Sequence, residues 1–117
     1  MKKLLLAGAA LAMIAGAASA ERYVMITHTQ GTDPFWPVVE KGGRDAAAAV
    51  GATLEYNFDV SGDMAAMAAL IETAAASEPD GIIVSLPDAA ALGPAIKSAV
   101  ADGIPVITMN SGLESSA

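Results

Sequence analysis

The chain has 117 residues, enough for one hydrophobic core, and its formal net charge is −7 at pH 7. Six Lys and Arg residues against thirteen Asp and Glu argue against nucleic acid or an anionic membrane as a partner, because both require clustered basic residues. The chain has no cysteine, so disulfide bonds cannot stabilise the fold and packing must do so.

The first twenty residues are predicted to be a cleaved secretory signal peptide. Lys2 and Lys3 precede an apolar run over residues 4–17, and the small residues at 18–20 suit signal-peptide cleavage after Ala20. The run is shorter than the roughly 20 residues that span a bilayer. Charged residues interrupt every later apolar stretch, so we expect no membrane insertion after cleavage. Residues 21–117 then form the exported domain, with four basic residues against thirteen acidic ones and a formal charge of −9.

Four strands are predicted in the exported part. The first covers Tyr23–Thr29, and the second, Thr53–Val60, alternates apolar and polar residues as an edge strand with one solvated face does. Gly81–Leu86 and Pro105–Met109 are nearly continuous apolar runs rich in β-branched residues. Such runs are typical of central parallel strands that are covered on both faces.

Three alanine-rich stretches between these strands have helical spacing, over Phe35–Val50, Gly62–Ala76 and Ala89–Asp102. Gly51 and Gly103 are placed to end the first and third helices. At the start of the second helix, Ser61 is predicted to be the N-cap, with Asp63 in the first turn.

The element order β-α-β-α-β-α-β predicts a three-layer α/β fold with a parallel sheet and right-handed crossovers. The sequence ends soon after the fourth strand, with no further helix to cover it. Because natural domains avoid an exposed apolar edge, we expect this chain to be part of a longer protein.

Ligands of open parallel sheets bind at the carboxyl ends of the strands, near the switch point in strand order. This rule selects four loops: His28–Trp36, Asp59–Asp63, Ser85–Asp88 and Met109–Gly112. Three of them are rich in glycine and small polar residues, which can hydrogen-bond a neutral hydroxylated molecule.

The first of these loops places Asp33, Phe35 and Trp36 at the start of a helix. Flat rings and hydrogen-bond acceptors suit a sugar, which has apolar C–H faces and a rim of hydroxyl groups. Alternatively, the two rings seal the helix against the sheet while Asp33 caps it. Both interpretations hold together if one ring packs inward and the other faces the cleft.

No residues indicate catalysis, a metal site or a cofactor. His28 is the only histidine and has no cysteine or carboxylate at metal-ligand spacing. Ser85 and Ser111 lack a nucleophile-elbow sequence, and the glycines form neither a P-loop nor a dinucleotide fingerprint.

Three segments together resemble the type I periplasmic binding proteins of the ribose and galactose group. They are Asp33-Pro34-Phe35-Trp36, residues 80–88 and residues 103–110, and the likeness covers essentially all of residues 21–117. The family has two α/β lobes joined by a hinge, which close on a sugar and deliver it to the membrane permease of an ABC importer. The resemblance implies an incomplete N-terminal lobe, a periplasmic location and a small sugar as ligand.

The resemblance also implies a set of ligand-binding residues: Thr29, Asp33, Phe35, Trp36, Ser85, Asn110 and Ser111. Asp33 corresponds to a hydroxyl-binding position, and Ser85 to a polar side chain that faces the cleft. Either His28 or Thr29 occupies a small polar contact. Ribose binders often have Asp-Arg where this chain has Asn110-Ser111, and the lost charge argues against ribose itself.

Two other classes share this fold. The sensor core of a lactose-repressor-type transcription factor would require a basic helix-turn-helix before the first strand, where the signal peptide lies instead. A periplasmic ligand-sensing domain of a receptor or two-component system would require a membrane segment further along its chain, and it remains the alternative.

Overall fold

A computed structural model describes residues 18–29 and 32–115, so the predicted signal peptide lies outside the described residues except for its last three. The elements in chain order are β1 (Arg22–His28), α1 (Phe35–Ala49), β2 (Thr53–Asp59), α2 (Met64–Ala76), β3 (Gly81–Ser85), α3 (Ala89–Ala101), β4 (Val106–Met109) and a 3-10 turn (Leu113–Ser115). All paired strands are parallel, in the order β2-β1-β3-β4. The predicted α/β class and order of elements are confirmed.

The sheet separates two hydrophobic layers because alternate residues of each strand point to opposite faces. One layer joins the sheet to α2 and α3 and includes Val24, Ile26, Ile71, Val84 and Leu92, each fully buried. The other joins the sheet to α1 through Met25, Ala47 and Leu54. This arrangement gives the three layers that the sequence predicts.

The strand positions agree with the sequence except at one edge. β2 lies at an edge and β3 is internal, as predicted. β4 was expected to be central and covered on both faces, but among the described residues it forms the other edge, and Ile107 is 66% exposed. An apolar run indicates that a strand is suited to burial, and it carries no information about which segment provides the cover.

Aspartates begin two of the helices. Asp63, in an extended conformation, accepts hydrogen bonds from the Ala65 and Ala66 amides, and Asp88 does the same for Ala90 and Ala91. The prediction that Ser61 caps α2 was therefore wrong. Ser61 instead donates to the Asp59 carboxylate in the preceding turn, because its backbone lies one turn before the helix begins.

The switch point lies at β1, which has β2 on one side and β3 on the other. α1, which follows β1, packs on one face of the sheet, and α3, which follows β3, packs on the other. The two helices therefore diverge at the carboxyl ends of these neighbouring strands and leave a crevice there. Within residues 18–29 and 32–115, no helix is both long and apolar enough to cross a membrane.

Candidate ligand-binding site

A cavity of about 350 Å³ opens at the carboxyl edge of the sheet. Its lining comes from the end of β1, the segment that leads into α1, the first residues of α1 and the residue after β4: His28, Thr32, Asp33, Phe35, Trp36 and Asn110. Residues between His28 and Trp36 thus meet Asn110, which is far from them in sequence. None of these six residues is Lys or Arg, so the described lining suits a neutral ligand better than an anion.

Larger hollows lie elsewhere on the surface. One of about 900 Å³ runs along α3 and the open edge of β4, and one of about 590 Å³ lies between α2 and α3. A third, of about 420 Å³, has Tyr23 in its lining but lies beside Asp80 and Gly81, where β3 begins. None of the three lies at the switch point, and the first two have no aromatic side chain in their linings. The smaller cavity combines ring surfaces with polar groups where open parallel sheets bind ligands, and it is therefore the candidate site.

The two aromatic residues of the cavity divide into one buried and one exposed ring. Trp36 is 4% exposed, whereas Phe35 is 48% exposed. Their rings meet edge to face, with centroids 5.0 Å apart at an angle of 79°. Of the alternatives that the sequence left open, the structure selects the combined one, in which Trp36 packs inward and Phe35 faces outward.

Asp33 contacts the helix and the cavity at once. Its Oδ1 accepts a hydrogen bond from the Phe35 amide at 2.9 Å, which satisfies a free N–H group of the first turn of α1. The side chain is also exposed and lines the cavity. The N-cap position itself is Pro34, so Asp33 does not cap α1 as predicted; its contact from one residue earlier holds the carboxylate at the cavity rim.

Of the two residues that the sequence left open for a small polar contact, His28 lines the cavity and Thr29 does not. His28 is half-buried at the end of β1, and its ring meets Trp36 edge to face with centroids 5.1 Å apart. Burial lowers the pKa of His28 below its ordinary value of 6.5, while the Asp33 carboxylate acts in the opposite direction. His28 is the last residue of β1, at the edge where open parallel sheets bind ligands.

Ser85 differs most from its expected position. It was expected to face the cleft, but it is fully buried, and its Oγ lies 2.9 Å from the His28 amide nitrogen and 2.7 Å from His28 Nδ1. Ser85 ends β3, an internal strand that lies between β1 and β4. The hydroxyl therefore contacts His28, which in turn lines the cavity.

Of the remaining predicted ligand-binding residues, one lines the cavity and two do not. Asn110 lines the cavity, whereas Thr29 is buried at 6% exposure and Ser111 lines a separate hollow beside β4. The structure thus brings together Asp33, Phe35, Trp36 and Asn110 of the predicted set. Thr32 also lines the cavity, and nothing in the sequence pattern distinguishes it from its neighbours in the loop.

The turn after β4 determines where Asn110 lies. Asn110 and Gly112 both have positive φ angles, 65° and 82°. A Cβ atom on Gly112 would lie 2.6 Å from Leu86 Cβ and 2.7 Å from Leu86 O, so the turn packs directly on the residue after β3. Only glycine permits both this φ and this contact.

An open parallel sheet with a crevice at its switch point places the chain among the doubly wound α/β domains. Residues 23–117 match the family described as the periplasmic binding protein domain, and the chain belongs to that family. The predicted family resemblance is confirmed, and the fold corresponds to part of the N-terminal lobe.

Solved structures of sugar-transport proteins are similar to this chain. A carbohydrate transporter from Acidothermus cellulolyticus 11B, in complex with myo-inositol, is 44% identical with a TM-score of 0.79, over 84% of this chain and 34% of its own. The sugar-binding protein of a Bacillus halodurans sugar ABC transporter is 36% identical with a TM-score of 0.75, over 82% of this chain and 33% of its own. AraP, an arabinose binding protein from Geobacillus stearothermophilus, is 33% identical with a TM-score of 0.76, over 84% of this chain and 33% of its own.

The chain therefore spans about a third of the length of these solved structures. None of the curated proteins matches it at a significant level.

Proposed function

We propose that this chain is part of the substrate-binding component of an ABC importer, and that it binds a sugar or a similar neutral polyhydroxylated molecule at the cavity of His28, Asp33, Phe35 and Asn110. The family and the similar solved structures support a binding component for sugar transport. The periplasmic sensor domain, considered as an alternative from the sequence, has no specific observation in its favour.

The observation that carries the proposal is the combination of side chains in one cavity. Phe35 offers an exposed ring face to the C–H groups of a sugar, while Asp33 accepts hydrogen bonds from hydroxyl groups. The Asn110 amide both donates and accepts, as a hydroxyl group does. Thr29, Ser85 and Ser111 support the site from behind or beside it rather than lining it.

The proposed activity is binding without a reaction. Within the described ranges, no three His, Cys, Asp or Glu side chains are grouped so that they could hold a metal ion. The cavity polar groups suit recognition of a hydroxylated ring, and the proposal assigns neither a cofactor nor a catalytic residue to them.

We place this activity in the periplasm, after removal of residues 1–20, with a membrane permease as the partner that receives the ligand. The leader pattern Lys2-Lys3, the apolar run and the small residues before Glu21 support export. Family membership supports the same compartment.

Ligand-induced stabilisation of the full-length protein tests the proposal. A panel of myo-inositol, hexoses, pentoses and amino acids is screened by thermal unfolding, and a cognate ligand at 100 times its Kd stabilises by about 2.7 kcal/mol. Phe35→Ala should remove this shift. Val38→Ala is the matched control, because Val38 lies on the same helix, is 71% exposed and is outside the cavity.

A stabilising sugar whose effect survives Phe35→Ala would contradict the proposed site. Stabilisation by amino acids alone would contradict the proposed ligand class.

A further inference from the structure

We propose that Ser85 is a positioning residue that holds His28 as the tautomer protonated on Nε2, so that the cavity presents a fixed N–H donor to its ligand. The effect of this tautomer on ligand recognition rests on the proposed function. The tautomer itself is a property of the ligand-free chain.

The hydrogen bonds around Ser85 Oγ determine the tautomer. The His28 backbone N–H is a donor only, so at 2.9 Å it must donate to Ser85 Oγ. The same Oγ lies 2.7 Å from His28 Nδ1, and one of these two atoms supplies the hydrogen between them. If Nδ1 supplied it, Oγ would accept twice and its own hydrogen would need another acceptor.

No such acceptor is present among the described residues, because the only hydrogen-bond partners of Ser85 Oγ there are the two nitrogen atoms of His28. The side chain is fully buried, so water cannot replace the missing acceptor. The arrangement that satisfies every group has Ser85 Oγ–H donating to an unprotonated Nδ1. A neutral imidazole then carries its hydrogen on Nε2.

Packing fixes the ring from its other side. The Trp36 ring contacts the His28 ring edge to face, with centroids 5.1 Å apart. Trp36 is itself buried and begins α1, so the imidazole is held between β3 and a helix. Burial, which lowers the pKa of His28, favours the neutral ring that this arrangement needs.

As a consequence, the cavity has a fixed hydrogen-bond donor at one residue and a fixed acceptor at another. His28 and Asp33 line the same cavity, and Asp33 accepts hydrogen bonds whereas His28 Nε2–H donates one. A ligand that offers both a donor and an acceptor satisfies both groups. Vicinal hydroxyl groups meet this requirement. A ligand with only donor groups facing His28 would leave the Nε2–H group without a partner, which disfavours it.

Ring 15N spectra of the ligand-free chain, with labelled histidine, test the inference directly. The chain has a single histidine, so the spectrum reports His28 alone. We expect Nε2 to be protonated and Nδ1 to be an unprotonated acceptor in the wild type. A ring protonated on Nδ1 would overturn the proposal without any variant being needed.

Ser85→Ala removes the hydroxyl and should shift the tautomer ratio of His28 toward Nδ1–H by roughly tenfold. A change of this size corresponds to the loss of one buried hydrogen bond. Ser85→Thr keeps the hydroxyl and should restore the wild-type ratio, and Ser98→Ala, an exposed serine on α3, should not change it. An unchanged ratio in a folded Ser85→Ala chain would also overturn the proposal.

A second measurement separates this inference from the proposed function. Gln places an amide N–H near the position of Nε2 and Asn near that of Nδ1, so His28→Gln should bind myo-inositol roughly tenfold more tightly than His28→Asn. Equal affinities of the two variants would contradict the donor assignment. If no sugar binds even to the wild-type full-length protein, the proposed function fails, whereas the ring spectrum still decides the tautomer.

Discussion

At the scale of single residues, the site depends on neighbouring side chains that differ sharply in burial. Phe35 and Trp36 are adjacent in sequence, yet a helix turns successive side chains by about 100°, so one faces the cavity mouth while the other enters the layer below. His28 and Ser85 show the same division across two strands. In both pairs, the less buried member lines the cavity and the buried member contacts it from below.

The aromatic pair gives a stability prediction. Trp36→Ala removes a buried ring and should lower the free energy of unfolding by about 3–5 kcal/mol. Phe35→Ala should lower it by only about 1 kcal/mol, since it loses mainly the edge-to-face contact. Denaturant unfolding of both variants measures the difference, and equal losses would show that Phe35 is a core residue rather than a ligand-facing one.

His28 gives a pH prediction. Its pKa is lowered by burial from an ordinary value of 6.5, so between that value and the lowered pKa the unfolded chain binds more protons than the folded one. Stability should therefore be fully present above about pH 6.5 and decrease as the pH falls through this window. Asp33 raises the pKa and limits the effect.

Urea unfolding between about pH 7.5 and 5, compared with His28→Gln, isolates this contribution because the variant has no imidazole to titrate. If the two proteins lose stability in parallel over this range, the histidine is not the group responsible.

At the scale of elements, loops that end parallel strands carry the site, and their backbone conformation places the side chains. The clearest case is the turn after β4, where Gly112 packs against Leu86 and Asn110 reaches the cavity. The sequence predicted this loop from its position after a strand. It could not predict the contact with Leu86, because that contact depends on the pairing of β3 with β4.

Gly112→Ala should lower the free energy of unfolding by about 2 kcal/mol or more, from left-handed backbone strain and overlap with Leu86. Gly51→Ala is the matched control, because Gly51 has a similar φ of 75° but no atom within 4 Å of its added Cβ. Chemical denaturation of both variants provides the comparison. Equal losses in both would show that the contact with Leu86 is not constraining.

At the scale of the whole molecule, local patterns predicted the elements and their order, but long-range contacts determined the roles of individual residues. Alternation identified β2 as an edge strand, and apolar periodicity located all three helices. The burial of Ser85 and the exposure of Ile107 depend on which strands lie beside them. Burial beside a neighbouring strand is not encoded in any short window of sequence.

The chain covers about a third of the similar solved structures, and the candidate site is open on the side away from the sheet, where Phe35, Asp33 and Asn110 are exposed. The family resemblance implies a second lobe, which would supply further contacts to the ligand. We therefore expect this chain alone to bind a sugar only weakly, in the millimolar range or above, about 4 kcal/mol of binding free energy at most. Calorimetry that showed submillimolar binding would contradict this.

Chemical-shift mapping of the isotopically labelled chain tests the location of the site most directly. Titration with myo-inositol and D-glucose should shift the amides of His28, Phe35 and Asn110, together with the indole N–H of Trp36, the only tryptophan in the chain. Shifts confined to the hollow between α2 and α3, around Glu72 and Asp102, or no shifts with either ligand at high millimolar concentration, would contradict the proposed site.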